Sequence, residues 1–172
     1  MAQKIIMAWS KCKVEIGKTG DSGAMAESLT SIGYVKDRSA ILEASEGDTL
    51  EAVASGGERI AKEGLEGGFT LTVRVIEPSN TLLTNLGLGT AGTAEGDFNM
   101  QTHLVSGNYS VQVTPKNKGA RGIKAPTTNI TYRPGWSEEE GFYADLVFEI
   151  LHGEANYWYS HFSSPGISPT ED

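Results

Sequence analysis

The sequence contains one glycine pattern that could bind a nucleotide. The segment GLGTAG (Gly87–Gly92) satisfies GxGxxG, a motif that holds a pyrophosphate when a strand precedes it and a helix follows it. Here a predicted helix precedes the glycines and no helical pattern follows them. We therefore interpret the segment as a flexible loop, and we predict no cofactor.

Residues that bind metals or act as nucleophiles are scattered along the chain. The three histidines lack the close spacing of zinc ligands: His103, His152 and His161. Cys12 lies between Lys11 and Lys13, which could mildly activate its thiol, but a half-buried strand cysteine is the simpler interpretation. We predict no catalytic residues and no metal site, and we expect that the protein is not an enzyme.

Two further clusters have both a structural and a functional interpretation. Glu138, Glu139 and Glu140 follow Ser137 and resemble a solvated turn capped by the serine more than an acid/base pair. An aromatic cluster near the C-terminus could either pack the end of the fold or form a platform for a sugar or a partner: Tyr157, Trp158, Tyr159 and Phe162.

Length and composition favour one compact domain. The chain has 172 residues, of which 38% are hydrophobic and 21% charged, so we predict a single β-rich domain over 1–162 and a flexible C-terminal tail over 163–172. The formal charge of −8 disfavours a general nucleic-acid binder. A single cysteine forms no internal disulfide, and the apolar run Ile5–Trp9 is too short for a signal peptide or a membrane span. We expect a soluble protein made in the cytoplasm.

Alternating apolar residues predict a mainly β fold. Phe69, Leu71, Val73 and Val75 form the clearest apolar series, with the period of two that is typical of a strand with one buried face. Further strands are predicted at 11–18, 31–37, 39–44, 109–115, 129–134 and 142–151, with loops at 87–99 and 116–127. We predict a β-sandwich or small barrel of antiparallel strands with one flanking α-helix.

That helix is predicted after Pro78. Ser79 or Asn80 is the expected N-cap, three leucines follow at helical spacing, and Gly87 is the expected stop.

A β-hairpin is predicted over Asp48–Glu63. Leu50, Ala52 and Ala54 alternate in the first strand, as expected for one buried face, and the SGGE turn leads into RIAKE as the partner strand.

The segment from Gly23 to Ser79 contains a start-of-domain loop, a short strand, EGDTLEA and GGE leading to an alternating strand, and the helix after Pro78. In these features it resembles the phage tail tube protein family, which comprises the major tail proteins and is related to the tube subunits of contractile injection systems. The resemblance implies a β-sandwich or small barrel with one helix, and subunits that form hexameric rings. These rings would stack into a hollow tube for DNA.

The resemblance also implies a role for the hairpin. Tube subunits join edge to edge around a ring, so exposed strand edges become the assembly interface. The hairpin is therefore our candidate for contact between subunits or rings. Its candidate residues are Asp48, Glu51, Ser55, Gly56, Gly57, Glu58, Arg59 and Glu63.

A tube that passes DNA should repel it, and acidic side chains would do so. The candidate acidic lumen face consists of Glu43, Glu46, Asp48, Glu51 and Glu58; ordinary solvated strand faces are the alternative. The expected partners are the chain itself and other tail components, with no specific DNA binding and no membrane. The expected location is the virion tail, after synthesis in the bacterial host cytoplasm. The alternative function is a β-sandwich ligand-binding module for carbohydrate or a protein partner, using Trp136, Tyr157 or Trp158.

Overall fold

The computed structural model describes residues 5–8, 11–153 and 156–168. It is mainly β with one short α-helix, which confirms the predicted fold class. The elements are β1 (Cys12–Lys18), β2 (Thr30–Ser31), β3 (Tyr34–Val35), β4 (Ile41–Ala44), β5 (Thr49–Val53), β6 (Arg59–Gly64), β7 (Phe69–Ile76), α1 (Asn80–Asn85), β8 (Gly89–Ala91), β9 (Phe98–Met100), β10 (Leu104–Pro115), β11 (Arg121–Ser137), β12 (Gly141–Ile150) and β13 (Ser160–Ser163). A short 3₁₀ turn lies at Asp21–Gly23.

Most strands belong to one antiparallel sheet. Its order is β2-β1-β10-β11-β12-β7-β3, with β13 added on β11 and β4 on β7. The two ends of this path, β2 and β3, belong to the same segment, Thr30–Val35, which pairs with β1 at one end and with β7 at the other. This segment therefore closes the sheet into a small barrel, and Gly33, with φ of +100°, lies at the crossing between the two strands.

The alternating strands supply the core, as the sequence predicted. Leu71, Val73 and Val75 of β7 are at most 2% exposed. Every residue from Ala144 to Ile150 that shares their face on the paired strand β12 is also buried: Ala144, Leu146, Phe148 and Ile150. Residues on the other face of these strands are polar or half-buried, because alternate side chains of a strand point to opposite faces.

The helix covers one side of this core. Ser79 is the N-cap, and its Oγ accepts a hydrogen bond from the Leu82 N–H at 3.2 Å. Leu82, Leu83 and Leu86 are buried, and Gly87, with φ of +72°, follows the last turn as the predicted stop. The helix is short because this left-handed glycine ends it.

Two of the predicted loops contain strands. Residues 87–99 include β8 and most of β9, which pair with each other, and residues 116–127 include the start of β11. Gly122 and Pro126 give the second segment the composition of a loop. Tertiary packing requires this glycine, since a Cβ on Gly122 would lie 2.4 Å from the Phe162 ring.

The C-terminal segment is held to the domain as far as it is described. Ser163 ends β13, and Ser164 is buried with its Oγ 2.6 Å from the Pro115 carbonyl. The Ser164 N–H also donates to the Ala120 carbonyl at 2.8 Å. Residues 169–172 of the predicted tail lie outside the described residues, and so does Trp9 of the N-terminal apolar run. Within the described ranges, no helix has the length and apolar character needed to cross a membrane.

Candidate assembly surface

A two-stranded ribbon extends from the barrel where β4 pairs with β7. We call residues 45–68 the arm. Its base continues the β4–β7 ladder, because the Ser45 N–H donates to the Gly68 carbonyl at 2.8 Å and the Leu65 N–H donates to the Asp48 carbonyl at 2.7 Å. The β5–β6 hairpin follows, so the hairpin predicted over Asp48–Glu63 is present. At about 3.3 Å per residue, the arm reaches about 30 Å beyond the sheet.

Two glycines let the chain segments meet closely at the base of the arm. A Cβ on Gly47 would lie 1.9 Å from the Leu65 carbonyl oxygen, and a Cβ on Gly67 would lie 1.7 Å from the Ser45 carbonyl oxygen. No side chain fits at such distances, so any other residue would force the two segments apart. The direction in which the arm leaves the barrel depends on these two positions.

The predicted SGGE turn forms the tip. Gly56 and Gly57 have φ of +97° and +84°, which only glycine adopts readily. The Ala54 N–H donates to the Glu58 carbonyl at 2.7 Å. A register shift between Ala52 and Val53 places an extra residue on β6 and increases the local twist.

Among the described residues the arm has no buried face, which corrects the expectation for Leu50, Ala52 and Ala54. Every residue of β5 and β6 is exposed, and Ala54 is half-buried beside the turn. Leu50 and Val53 are each 57% exposed although they lie on opposite faces of β5, and Ile60 is 67% exposed. The alternation correctly predicted a strand, but no described part of the fold covers either face of that strand.

The charges of the arm are mainly negative. Residues 45–66 carry six carboxylates and two cations, a net charge of −4 and thus half of the chain's −8. Glu51 lies 3.3 Å from Arg59 and 3.9 Å from Lys62 across the hairpin. These ion pairs are exposed and add little stability, but they partly neutralise Glu51.

The candidate lumen residues do not form one compact patch. Glu43 lies on β4 opposite Thr70, Glu46 and Asp48 lie at the base of the arm, Glu51 lies in β5 and Glu58 lies beside the tip. All five are exposed, and they extend over about 30 Å from the sheet to the tip. The remaining candidate residues are also on the arm: Ser55, Gly56 and Gly57 in the turn, and Arg59 and Glu63 in β6.

The glutamates after Ser137 form the expected capped turn. The Ser137 Oγ accepts a hydrogen bond from the Glu140 N–H at 3.0 Å. Glu140 also contacts Lys36 and lies 3.0 Å from the Arg74 guanidinium, which in turn binds Asp145 through two hydrogen bonds of 2.7 and 3.0 Å. The hydrogen bonds that Arg74 donates to the Asp145 carboxylate raise the pKa of Arg74. This network ties the turn to the sheet.

The remaining motifs have structural roles in the described residues. In GLGTAG, Gly89 is in β8, where a Cβ would lie 2.1 Å from the Asn99 carbonyl oxygen. Burial raises the pKa of the half-buried Cys12 thiol, which opposes thiolate formation. No group of three or more His, Cys, Asp or Glu side chains among the described residues is placed to bind a metal ion.

Trp136 is far from the C-terminal aromatic residues. Trp158 and Tyr159 pack edge-on against Phe69, with ring centroids 5.7 and 5.0 Å away. Trp136 is 70% exposed but lies opposite Phe142, eight residues along β12 from Ile150, which pairs with Phe69. That separation is about 26 Å, so one sugar ring cannot contact both tryptophans.

The apolar part of the arm surface and the role of the glycines at its base were not predicted from the sequence. Val53, Ile60 and Leu65 are 46–67% exposed, and Gly47 and Gly67 set the close contact. One signal was available: apolar residues occur at both odd and even positions of the hairpin, as expected for a ribbon covered on both faces by another molecule.

No protein-family model matches the chain, and no curated protein matches it at a significant level.

Proposed function

We propose that the protein is a structural subunit of a phage or prophage-derived tail tube. Its copies would assemble into stacked, hexameric rings that form a hollow conduit for DNA in the virion tail. The proposal rests on the resemblance of residues 23–79 to tail tube proteins and on one structural observation. That observation is an arm about 30 Å long whose strands are exposed throughout.

An exposed arm is energetically unfavourable in a protein that functions as a monomer. An isolated two-stranded hairpin is at best marginally stable in water, and both of its edges offer unpaired backbone groups to other chains. The arm also carries Leu50, Val53 and Ile60 in contact with solvent. A neighbouring subunit would cover these side chains and satisfy the strand edges.

The shape of the arm favours a head-to-tail contact. A projecting ribbon must meet a different surface on its partner, and such heterologous contacts close into rings or continue as filaments. A tube of stacked rings needs both closure into rings and continuation from ring to ring. In this role the chain needs no cofactor and performs no catalysis, and its other partners would be neighbouring tail components.

The charge of the chain is compatible with DNA passage. A net charge of −8 repels a polyanion and therefore disfavours the binding of DNA. Glu43 on β4 and Glu46 at the base of the arm are the acidic side chains that we would place nearest a lumen.

The proposal is tested by measuring particle size over a range of protein concentrations. Light scattering after size-exclusion chromatography, followed by negative-stain microscopy, should show hexamer-sized particles, rings or tubes. A monomer at every concentration up to the solubility limit would contradict the proposal.

An arm-deletion variant is the matched control. Because Ser45 and Gly68 face each other in the ladder, residues 46–67 can be replaced by an Asn-Gly turn without disturbing the barrel. This variant should keep the circular dichroism spectrum and cooperative unfolding of the parent and should remain monomeric. Rings formed without the arm would refute its role in assembly.

A further inference from the structure

Acidic and basic side chains are segregated along this chain. Residues 98–137 contain five cations and no carboxylate, although the whole chain has 22 carboxylates and 14 cations. Four of the five cations lie in and beside the turn that joins β10 to β11: Lys116, Lys118, Arg121 and Lys124. We call residues 116–124 the basic turn. It is a positive surface on a protein of net charge −8.

The cations of the basic turn have no carboxylate partner in the part of the chain that the structure describes. None of the four belongs to an ion pair there. Lys116, Lys118 and Arg121 are exposed. Lys124 is half-buried, with its Nζ 4.8 Å from the centre of the Phe162 ring. The positive charges are therefore available to an acidic partner.

The backbone of the basic turn is held in place by the C-terminal segment. The Gly119 N–H donates to the Ser164 carbonyl at 2.8 Å, and the Ile167 N–H donates to the Lys116 carbonyl at 3.2 Å. Arg121 begins β11, which pairs here with β13. Because the backbone is already fixed, a partner that binds the turn has to order only side chains, which lowers the entropic cost of binding.

The complementary surface is the base of the arm, not its tip. The outer part of the arm, residues 51–62, carries two carboxylates and two cations and is neutral. The base, residues 45–50 and 63–68, contains no cation and four exposed carboxylates: Glu46, Asp48, Glu63 and Glu66. Within the described ranges, none of these four carboxylates is in an ion pair. We call them the acidic base.

We infer that the acidic base of one copy docks against the basic turn of a second copy. This inference rests on the proposed function and names the two surfaces through which its subunits meet. Two basic turns repel each other, and so do two acidic bases, so only the contact between unlike surfaces is favourable. Each copy has one surface of each kind, and the contact therefore passes from subunit to subunit, as a ring requires.

A second copy is a better partner for the basic turn than a nucleic acid. Lysine and arginine side chains also contact phosphate groups, but a net charge of −8 repels a polyanion from the protein as a whole. Pairing between copies neutralises both the basic turn and the acidic base. A bound nucleic acid would neutralise the basic turn alone and add negative charge to an acidic protein.

Two variants test the contact by exchanging its charges. The turn variant makes the basic turn negative through three changes: Lys116→Glu, Lys118→Glu and Arg121→Glu. The base variant makes the acidic base positive through three changes: Asp48→Lys, Glu63→Lys and Glu66→Lys. All six positions are exposed, so the circular dichroism spectrum and the thermal midpoint of each monomer should match those of the parent.

Each variant alone should assemble poorly, and the two together should assemble well. Alone, each sets like charges against each other, so the concentration needed for assembly at low salt should rise about tenfold or more. In an equimolar mixture, copies of the two variants that alternate bring unlike charges together at every contact. The mixture should therefore assemble at close to the parent's concentration, as measured by sedimentation velocity.

A third variant controls for net charge. It changes three exposed cations outside the basic turn to glutamate: Lys18, Arg38 and Arg133. Its net charge equals that of the turn variant, but its basic turn is intact, so it should assemble like the parent. The difference between the turn variant and this control should shrink as the salt concentration rises from about 0.05 M to about 0.5 M, because added ions screen exposed charges.

The remaining outcomes distinguish this inference from the proposed function. If the mixture assembles no better than either variant alone, or if both variants assemble like the parent, the inference is overturned and the tube proposal stands. Binding of a short DNA duplex by the parent but not by the turn variant, together with no recovery in the mixture, would assign the basic turn to a phosphate backbone instead. A parent that remains monomeric at every concentration would overturn both proposals.

Discussion

The apolar side chains of the arm should control assembly but not folding. The test variant replaces Leu50, Val53 and Ile60 together with threonine, a β-branched residue that is well suited to strand positions. Leu50 and Val53 are 57% exposed and Ile60 is 67% exposed, so the monomer gains little from them. Full burial of such a side chain is worth about 1.5–3 kcal/mol. Covering the exposed half in an interface therefore contributes about 1 kcal/mol for each residue.

Three such contributions total about 3 kcal/mol, which corresponds to about a 100-fold change in the association constant. Sedimentation velocity over a concentration series should show the assembly midpoint of the triple variant raised by that factor. Surface substitutions normally change stability by about 0.5 kcal/mol or less, so the thermal midpoint of the monomer should be nearly unchanged. Leu104→Thr, at 70% exposure and outside the arm, is the matched control.

Two results would refute this reasoning. An assembly midpoint within about threefold of the parent's, less than the roughly fivefold expected from even one side chain at about 1 kcal/mol, would show that the arm's apolar surface is not covered in the assembly. A large drop in the monomer's thermal midpoint would show that the arm packs on its own barrel.

Three further predictions follow from individual contacts. Gly67→Ala should displace the base of the arm, since its Cβ would lie 1.7 Å from a carbonyl oxygen; faster proteolysis of the arm should report this, whereas Gly64→Ala, with nothing within 4 Å, should behave like the parent. Tyr132→Phe should stabilise the protein by about 1 kcal/mol in urea unfolding, because the buried Tyr132 hydroxyl has no hydrogen-bond partner among the described residues. Tyr109→Phe should instead lower the free energy of unfolding by about 1 kcal/mol, since the Tyr109 hydroxyl donates a hydrogen bond to the Asn85 carbonyl at 3.3 Å. Stabilisation by both changes, or by neither, would contradict this account. Burial raises the pKa of Cys12, Tyr109 and Tyr132 above 9.0 for the thiol and 10.0 for the phenols, so these groups keep their protons in the folded state at pH values where the unfolded chain has lost them. The free energy of unfolding should therefore fall as the pH rises above about 9, with a smaller fall in Cys12→Ser; a flat profile up to pH 11 would be inconsistent with these shifts.

Local pattern was sufficient to predict the elements whose neighbours lie on the core. The apolar series of Phe69–Ile76 and of Gly141–Ile150 identified both the strands and their buried faces, because in these strands one face is covered by the barrel interior. The helix was predictable from Ser79 and Gly87, since capping and termination depend on residues within a few positions. The hairpin was also visible, because its turn and alternation are local signals.

The sequence alone determined that this chain is mainly β, acidic and equipped with one capped helix and one glycine-tipped hairpin. Only the tertiary structure showed what lies beside each strand. It extended β11 back to Arg121, although Gly122 and Pro126 give that segment the composition of a loop, because one strand that pairs with its start, β13, comes from a distant part of the chain. It also left both faces of the arm uncovered and brought Cys12, Val35 and Ile123 together around one cavity. Alternation specifies a strand and its two faces, but the covering of a face depends on contacts between segments far apart in sequence.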